Sequence, residues 1–538
     1  MTNSIDDITT QAKSYLVIGS NTTEQHPVIG MRLRQAAKRG AKLVLADPRD
    51  IPLGDFAVLH LKHKPGSDIA LLNGIMNVLI AEDLYDKEFV TNRTEGFEEF
   101  KAAVAKYTPE YAETITSVPA DDIRKAARIL AANRPGALLY AMGITQHTSG
   151  HQNVLSTANL QMLLGNMGVP GGGVNPLRGQ NNVQGACDMG CLPNFYPAYQ
   201  RVADEAARAK FVAAWGNAAS LQNGLTIVEM LNAAEAGKVK ALFVLGENPM
   251  MTDPDLNHVR HCLDSLDFLV VEEIFMSETA ELADVVLPGV SSAEKDGTLT
   301  NTERRVQRIR KAIEPIGSAR PDWQIICDLA KRVEARLGTD RSKAKFPSWD
   351  FAHPGQIMAE INAVAPSYGG ITYERLEKGG LQWPCPNTEH AGTPILHVGK
   401  FSRGLGKFSA VEWQPAREVP DEQYPFVLTT GRVLFHFHSG TMSRRVAGLN
   451  AIYPEGTVEI NPQDAQKLGV ANGELVKVTS RRGQVVAKAE VVERPDPGVV
   501  FMTFHFKEAA ANLLTIAALD PVAKIPEYKV SAVRVEKA

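Results

Sequence analysis

The sequence predicts an α/β protein with two doubly wound domains related by pseudo-symmetry, followed by a β-barrel. Three observations carry that expectation. Short apolar runs alternate with amphipathic stretches through the first third of the chain, the βαβ signature of a parallel sheet. A strand–loop–carboxylate pattern near the N-terminus recurs farther along. Beyond residue 415 the pattern changes to short β-runs of the kind that close a barrel.

Tyr15–Gly19 (YLVIG) reads as a buried strand and Val28–Lys38 as a helix. Ala41–Ala46 (AKLVLA) is a second strand and Ser67–Ile80 a second helix. Asp121–Ala132 is a further helix, opening on acidic residues where the helix dipole favours them. Ala137–Met142 then returns to strand.

VIGSN ends at Asn21 and VLGEN at Asn248. Asn21 to Asp47 is 26 residues, and Asn248 to Glu273 is 25. Asp47 to Leu61 is 14, and Glu273 to Leu287 is again 14. Each copy reads strand, polar loop, helix, strand, carboxylate, strand. A loop opening a helix donates backbone N–H groups to phosphates. A carboxylate at the tip of the second strand accepts from a ribose or a base edge. Two copies imply two Rossmann-like domains and two nucleotide-like sites, although any α/β sheet can produce such echoes. Neither loop carries GxGxxG, so the standard NAD fingerprint is missing.

Residues 340–410 are rich in Pro, Gly and isolated aromatics and read as a long connection. After it come β-runs at Phe426–Thr430, Thr457–Ile460, Leu475–Ser480, Gln484–Val492 and Val499–Phe506. Among them sits a short helix, with Asn461 as its cap, Pro462 in its first turn and Gly469 at its end. The expected domains are 1–180 and 181–395, each binding one dinucleotide, then a linker at 396–414 and a barrel at 415–538.

Composition excludes several classes. At 538 residues the chain is too long for one core. A net charge of −4 leaves no nucleic-acid footprint. No run of about 18 apolar residues exists, so no transmembrane helix is expected. MTNSIDDITTQAKSY has no apolar core and is not a signal peptide, so the default localisation is cytoplasmic. The five cysteines, an odd and scattered set, argue for a reducing compartment. Cys187 and Cys191 are four apart, but no second Cys/His pair lies at metal-ligand spacing, so two ordinary thiols are the simpler reading.

The stretch 165–191, GNMGVPGGGVNPLRGQNNVQGACDMGC, is the most telling. Glycines let a backbone approach a bulky ligand. Arg178 sits among amides, Gln180, Asn181, Asn182 and Gln184, and a guanidinium can hold a small carboxylate through two parallel hydrogen bonds. A structural ion pair is the alternative role for Arg178.

On these residues the chain resembles the catalytic subunit of molybdenum- or tungsten-dependent formate dehydrogenases, in the dimethyl sulfoxide reductase superfamily of molybdopterin oxidoreductases. The matching motifs include GSNTTEQHP at 19–27, ADPR at 46–49, KPGSD at 64–68, MGITQHTSG at 142–150 and VNPLRGQNNVQGACDMG at 174–190. GENPMMTDPD at 246–255, DWQI at 322–325, TTGRVLFHFHSGTMSRR at 429–445 and PEYK at 526–529 follow in family order. RGQNNVQGACDMG and HSGTMSRR favour formate dehydrogenase over the related nitrate reductases.

The resemblance implies a metal held between two molybdopterin guanine dinucleotides, and a C-terminal barrel of the double-psi type. Carried over by position, Gly19, Asn21, Glu24, Asp47 and Arg49 would serve one dinucleotide, with Gly66, Met142, Gly143 and Gln146 nearby. Gly246, Asn248, Thr252, Glu273 and Asp322 would serve the other. Gly179 and Gln180, directly after the substrate arginine, would also contact the cofactor. Arg432, His436, His438, Asn512, Tyr528 and Lys529 would close over the pterins. Read without the family, His436 and His438 alternate as on the solvated face of a strand, Asp322 could cap a helix beginning at Trp323, and Lys529 could be a surface charge. Arg178 matches the catalytic, formate-binding arginine.

The family also has a four-cysteine motif for a [4Fe–4S] cluster and a metal-ligating cysteine or selenocysteine followed by histidine. None of the five cysteines makes a cluster motif and none precedes a histidine, so no metal ligand is expected in this chain. Both parts are expected upstream of Met1. A selenocysteine codon read as a stop would start the frame at the next methionine; an upstream twin-arginine signal would make the protein periplasmic. The expected function is oxidation of formate to CO2, with electrons passing through an iron–sulfur cluster to a partner subunit or carrier. The alternatives are a non-catalytic molybdopterin-binding or assembly module, or a related molybdopterin oxidoreductase such as nitrate reductase.

Overall fold

The computed structural model describes residues 1–216 and 219–538. They form two compact units: Met1–Gly179 with Met251–Val259 and Ile395–Ala538, and Gln180–Met250 with Arg260–Pro394.

The first unit contains a five-stranded parallel sheet of β1 (Ser14–Ile18), β2 (Lys42–Ala46), β3 (Leu59–Leu61), β4 (Gly136–Tyr140) and β5 (Val174–Pro176), in the order β3-β2-β1-β4-β5. The three central strands, β1, β2 and β4, are five-residue, mostly apolar runs because both faces are covered, as parallel sheets require. Leu16, Ile18, Val44 and Leu138 face a core shared with helices Asp68–Ala81, Ala120–Ala132 and Gly150–Leu163. Tyr15, Val17, Leu43, Leu45 and Leu139 face the opposite core, with Leu33 of helix Pro27–Lys38. Successive side chains alternate faces, and each fully buried leucine or isoleucine contributes about 1.5–3 kcal/mol. The strand order reverses direction between β1 and β4, where ligands bind in open α/β sheets.

In the second unit β6 (Ala241–Leu245), β7 (Phe268–Glu273) and β8 (Val285–Pro288) form a parallel sheet in the order β8-β7-β6, the order of the first three strands of the first sheet. The repeat extends to backbone detail. Gly19 and Gly246 follow β1 and β6 at φ 57° and 61°. Gly19 N–H donates to Ala46 O, and Gly246 N–H to Glu272 O.

Strands β9 (Phe426–Gly431), β10 (Thr457–Ile460), β11 (Leu475–Thr479), β12 (Gln484–Val491), β13 (Val499–Thr503) and β14 (Ser531–Lys537) close a barrel in the order β9-β13-β10-β12-β11-β14. In β12, Val485, Ala487 and Ala489 point inward and alternate with exposed positions. Helix Pro462–Leu468 starts where Asn461 accepts from Gln463 N and stops at Gly469 with φ 66°.

Two expectations need correcting. Residues 340–410, expected as a long connection, contain a helix and contribute to a packed core. Helix Pro354–Val364 and the buried Met358, Tyr368, Ile371, Leu376 and Cys385 pack around Val306, and Phe408 stacks on Phe100 at 4.7 Å between ring centroids. Frequent Pro and Gly masked these apolar positions. His436 and His438 are not on a strand, which ends at Gly431; they lie in a turn, with His436 buried and His438 at φ 47°.

Candidate functional site

At the C-terminal edge of the first sheet lies a cavity lined by Gly19, Asn21, Asp47, Arg49, Gly66, Met142, Gly143 and Lys529. Its floor is the near-contact of the loops after β1 and β4. A Cβ on Gly19 would lie 2.8 Å from the carbonyl carbon of Gly143, and one on Gly143 would lie 2.6 Å from Cα of Gly19. Glycine is required on both sides of that approach.

The cavity's chemistry is that of an anion-and-amide receptor. Lys529 Nζ donates to Thr430 O at 2.6 Å. Burial, with the Arg432 charge second, pushes its pKa down to about 7, so a neighbouring anion would restore the ammonium. Arg49 is held flat by three hydrogen bonds to Glu459, at 2.7, 2.8 and 3.2 Å, and its guanidinium lies 3.4 Å from the centroid of Phe501. Asp47 accepts from Arg49 N at 3.1 Å at the tip of β2, and burial raises its pKa. Beside them Ser20 Oγ, Asn21 Oδ1 and Thr22 Oγ1 are buried and have no hydrogen-bond partner among the described residues. Buried polar atoms are normally paired, so this loop fits a polar ligand such as a dinucleotide.

Arg178 follows β5 at the same edge and is half-buried; its carbonyl accepts from His26 Nε2 at 2.7 Å. Gly179 packs against His438 and Arg432. Arg432 is buried, donates to Gln25 Oε1 at 3.1 Å, and is pushed by burial down to about 10.

Other expected site residues do not line this cavity. Glu24 sits in the turn Thr22–Gln25, and Gln146 O accepts from Tyr528 N. His436 Nε2 bonds Tyr453 O at 2.7 Å. Asn512 donates to Met251 O and Thr252 O, and the Tyr528 hydroxyl to Thr252 O, so both side chains grip main chain.

In the second unit Gly246, Asn248 and Glu273 occupy the ends of β6 and β7, and Gln180 is exposed. Asn248 is engaged by Glu278 at 2.8 Å and by the Thr279 hydroxyl at 2.8 Å. Asp322 lies in the first turn of helix Asp322–Leu337, whose cap is Pro321, and pairs with Lys295. It is therefore not that helix's N-cap.

Several buried polar residues escaped the sequence reading. His63 Nε2 bonds Asp68 at 3.0 Å, and His147 Nδ1 bonds Glu527 at 2.8 Å. The available signal was that His63 continues the inward alternation of Leu59 and Leu61. Asp188 accepts from Gln184, Tyr199, Tyr368 and Trp383 at 2.6–2.9 Å, anchoring the helix that follows the amide run. Glu272, next to the expected Glu273, is pushed up to about 7 by burial first and by the Asp322 charge second.

Residues 1–332 match the family model "Molybdopterin oxidoreductase", and residues 426–532 match "Molydopterin dinucleotide binding domain". The chain is 50% identical over 540 residues to the F420-dependent formate dehydrogenase subunit alpha of Methanocaldococcus jannaschii, covering 100% of this chain and 78% of that protein. It is 49% identical over 540 residues to F420-dependent formate dehydrogenase 1 subunit alpha of Methanococcus maripaludis, with the same coverage. Formate dehydrogenase H of Escherichia coli is 41% identical over 543 residues, covering 100% of this chain and 74% of the relative. Among solved structures, acetylene hydratase from Pelobacter acetylenicus shares the fold, with TM-score 0.77 at 22% identity over 100% of this chain and 79% of that one. The chain therefore belongs to the molybdopterin oxidoreductase family, among its formate dehydrogenase alpha subunits.

Proposed function

We propose that this chain is the pterin-binding and substrate-binding part of a formate dehydrogenase catalytic subunit, which oxidises formate to CO2, one proton and two electrons. The observation that carries this reading is Arg178 beside the β1/β4 switch point, at the edge that also bears the cavity with Asp47, Arg49 and Lys529. Formate offers little surface, so a guanidinium must fix both its oxygens. With the oxygens held, the C–H bond has one direction in which to point, and orientation of this kind removes much of the entropic barrier. When bound, the molybdopterin-held metal, molybdenum or tungsten, supplies the two-electron acceptor.

Two guanine-tailed pterins fit the duplicated strand–loop–carboxylate pattern. Asn21, Asp47, Arg49 and Lys529 would hold one of them, the cations meeting its phosphates. Gly246, Asn248, Glu273 and Asp322 would hold the other. Electrons would leave through an iron–sulfur cluster to a partner subunit or carrier. Five free cysteines fit a reducing, cytoplasmic setting. No helix among the described residues is long and apolar enough to cross a membrane.

The test is to express the complete catalytic subunit, assay its metal and pterin guanine dinucleotide, and follow formate-dependent reduction of a viologen dye. Two dinucleotides per chain with formate-dependent turnover are expected. Bound pterin without formate oxidation would overturn the reading.

A further inference from the structure

The loop after β1 carries two adjacent residues that reach toward the Arg178–Gly179 backbone by separate routes. Gln25 Oε1 accepts from Arg432 Nη2 at 3.1 Å, and Arg432 Nη1 lies 3.1 Å from His438 Nε2. Those two side chains press on Gly179, where a Cβ would lie 2.9 Å from His438 Cε1 and 3.4 Å from Arg432 Nη1. His26 takes the other route, with its Nε2 at 2.7 Å from the Arg178 carbonyl.

The geometry fixes the state of the His26 ring. A carbonyl oxygen only accepts, so Nε2 carries the proton and donates. Nδ1 is buried and has no partner among the described residues, so nothing stabilises a second proton there. The ring sits at the N-cap of helix Pro27–Lys38, where the dipole opposes positive charge. Burial, reinforced by the Arg432 charge, pushes it down to about 4, so it is neutral throughout the physiological range. The ring is also held in place from below. His26 N–H bonds Thr22 O, its carbonyl accepts from Gly30 N, and Pro27 fixes the next backbone angle.

We infer that His26 is a positioning residue for formate: its Nε2–H holds the Arg178 carbonyl and so fixes the direction in which the guanidinium is presented. Arg178 lies two residues beyond the end of β5, and the orientation of its peptide sets the direction in which its side chain leaves the main chain. The His26 arm holds the Arg178 carbonyl, and the Gln25–Arg432–His438 arm packs against the adjoining Gly179. A shift of about 1 Å in such a group is enough to cost orders of magnitude in rate. This inference rests on the formate reading only for its kinetic consequence; the clamp itself belongs to the chain.

Two variants separate this role from mere packing. Gln places an amide N–H near the position of Nε2, whereas Asn reaches only as far as Nδ1. In the complete catalytic subunit with cofactor, His26→Asn should raise KM for formate about 10-fold or more, with kcat within about 3-fold. His26→Gln should return KM to within about 3-fold of wild type. Both should retain wild-type pterin content. Equal KM values for the two variants, or losses confined to kcat and pterin content, would overturn the inference. A readout independent of turnover is the crystal structure of His26→Asn, in which the Arg178 carbonyl should move and the Arg432–Gln25 contact should not. An unmoved Arg178 peptide sinks the inference whatever the enzyme oxidises. A displaced Arg178 in a protein that ignores formate leaves the clamp standing and removes only the functional reading.

Discussion

The two strand–loop–carboxylate copies share one backbone plan but have different side-chain surroundings. Both place a left-handed glycine after the first strand and close it with the same hydrogen bond to the second strand. In the first copy, the side-chain oxygens of Ser20, Asn21 and Thr22 are buried and have no hydrogen-bond partner among the described residues. In the second, the Asn248 amide is engaged by Glu278 and Thr279. The first glycine is wedged against Gly143, while around the second a Cβ would meet nothing within 4 Å. Pattern alone sets the backbone, and what surrounds it decides which polar groups are left for a ligand.

Glycine substitution tests that contrast most severely. Gly19→Ala combines a forbidden approach with a positive φ and should destabilise the first unit by about 3 kcal/mol or more. Gly246→Ala meets open space, so only the left-handed backbone penalty of about 1–2 kcal/mol remains. Scanning calorimetry of the two variants checks this. Equal losses would mean that the close approach to Gly143 is not a constraint.

The paired asparagines give a smaller difference. Asn248→Ala removes bonds to Glu278 and Thr279 and should cost about 1–3 kcal/mol. Asn21→Ala removes an oxygen with no hydrogen-bond partner among the described residues, so it should leave thermal stability within about 0.5 kcal/mol. It should instead lower the pterin retained on purification. A stability loss at Asn21 as large as that at Asn248 would erase the distinction.

The smallest effect concerns Glu272. Its folded pKa of about 7 lies above the ordinary 4.5, so the folded chain keeps a proton that the unfolded chain releases. Its contribution is therefore neutral below about 4.5 and increasingly destabilising as pH rises through 7. Glu272→Gln should stabilise the second unit by about 1 kcal/mol at pH 8, with the gain shrinking toward zero at pH 5. A gain independent of pH would show that ionisation of Glu272 is not its cause.

Local structure was legible where a short apolar run ended at a polar residue. Strand Thr457–Ile460 and the Asn461–Pro462–Gly469 helix match their expected bounds, because capping and φ preferences act within a few residues. The repeated succession of strands along the two copies followed from interval lengths, while the order in which they pair does not appear in those intervals. What the sequence hid depends on distant partners. Arg49 meets Glu459 across 410 positions, and His147 meets Glu527 across 380. His436 and His438 alternate as a strand would, yet the chain turns there: His436 is tied to Tyr453 O and Ser443, and His438 lies beside Arg432. In the second copy, sequence spacing picked out Glu273 but not its buried neighbour Glu272, whose pKa burial pushes up to about 7.

The central claim is that one guanidinium presents formate. It is tested most directly by formate kinetics of Arg178→Lys in the complete catalytic subunit. Lysine keeps the charge but loses the two-pronged grip on a carboxylate. The expected result is a fall in kcat/KM for formate of about 100-fold or more at unchanged metal and pterin content. A kcat/KM within about 3-fold of wild type would contradict the account.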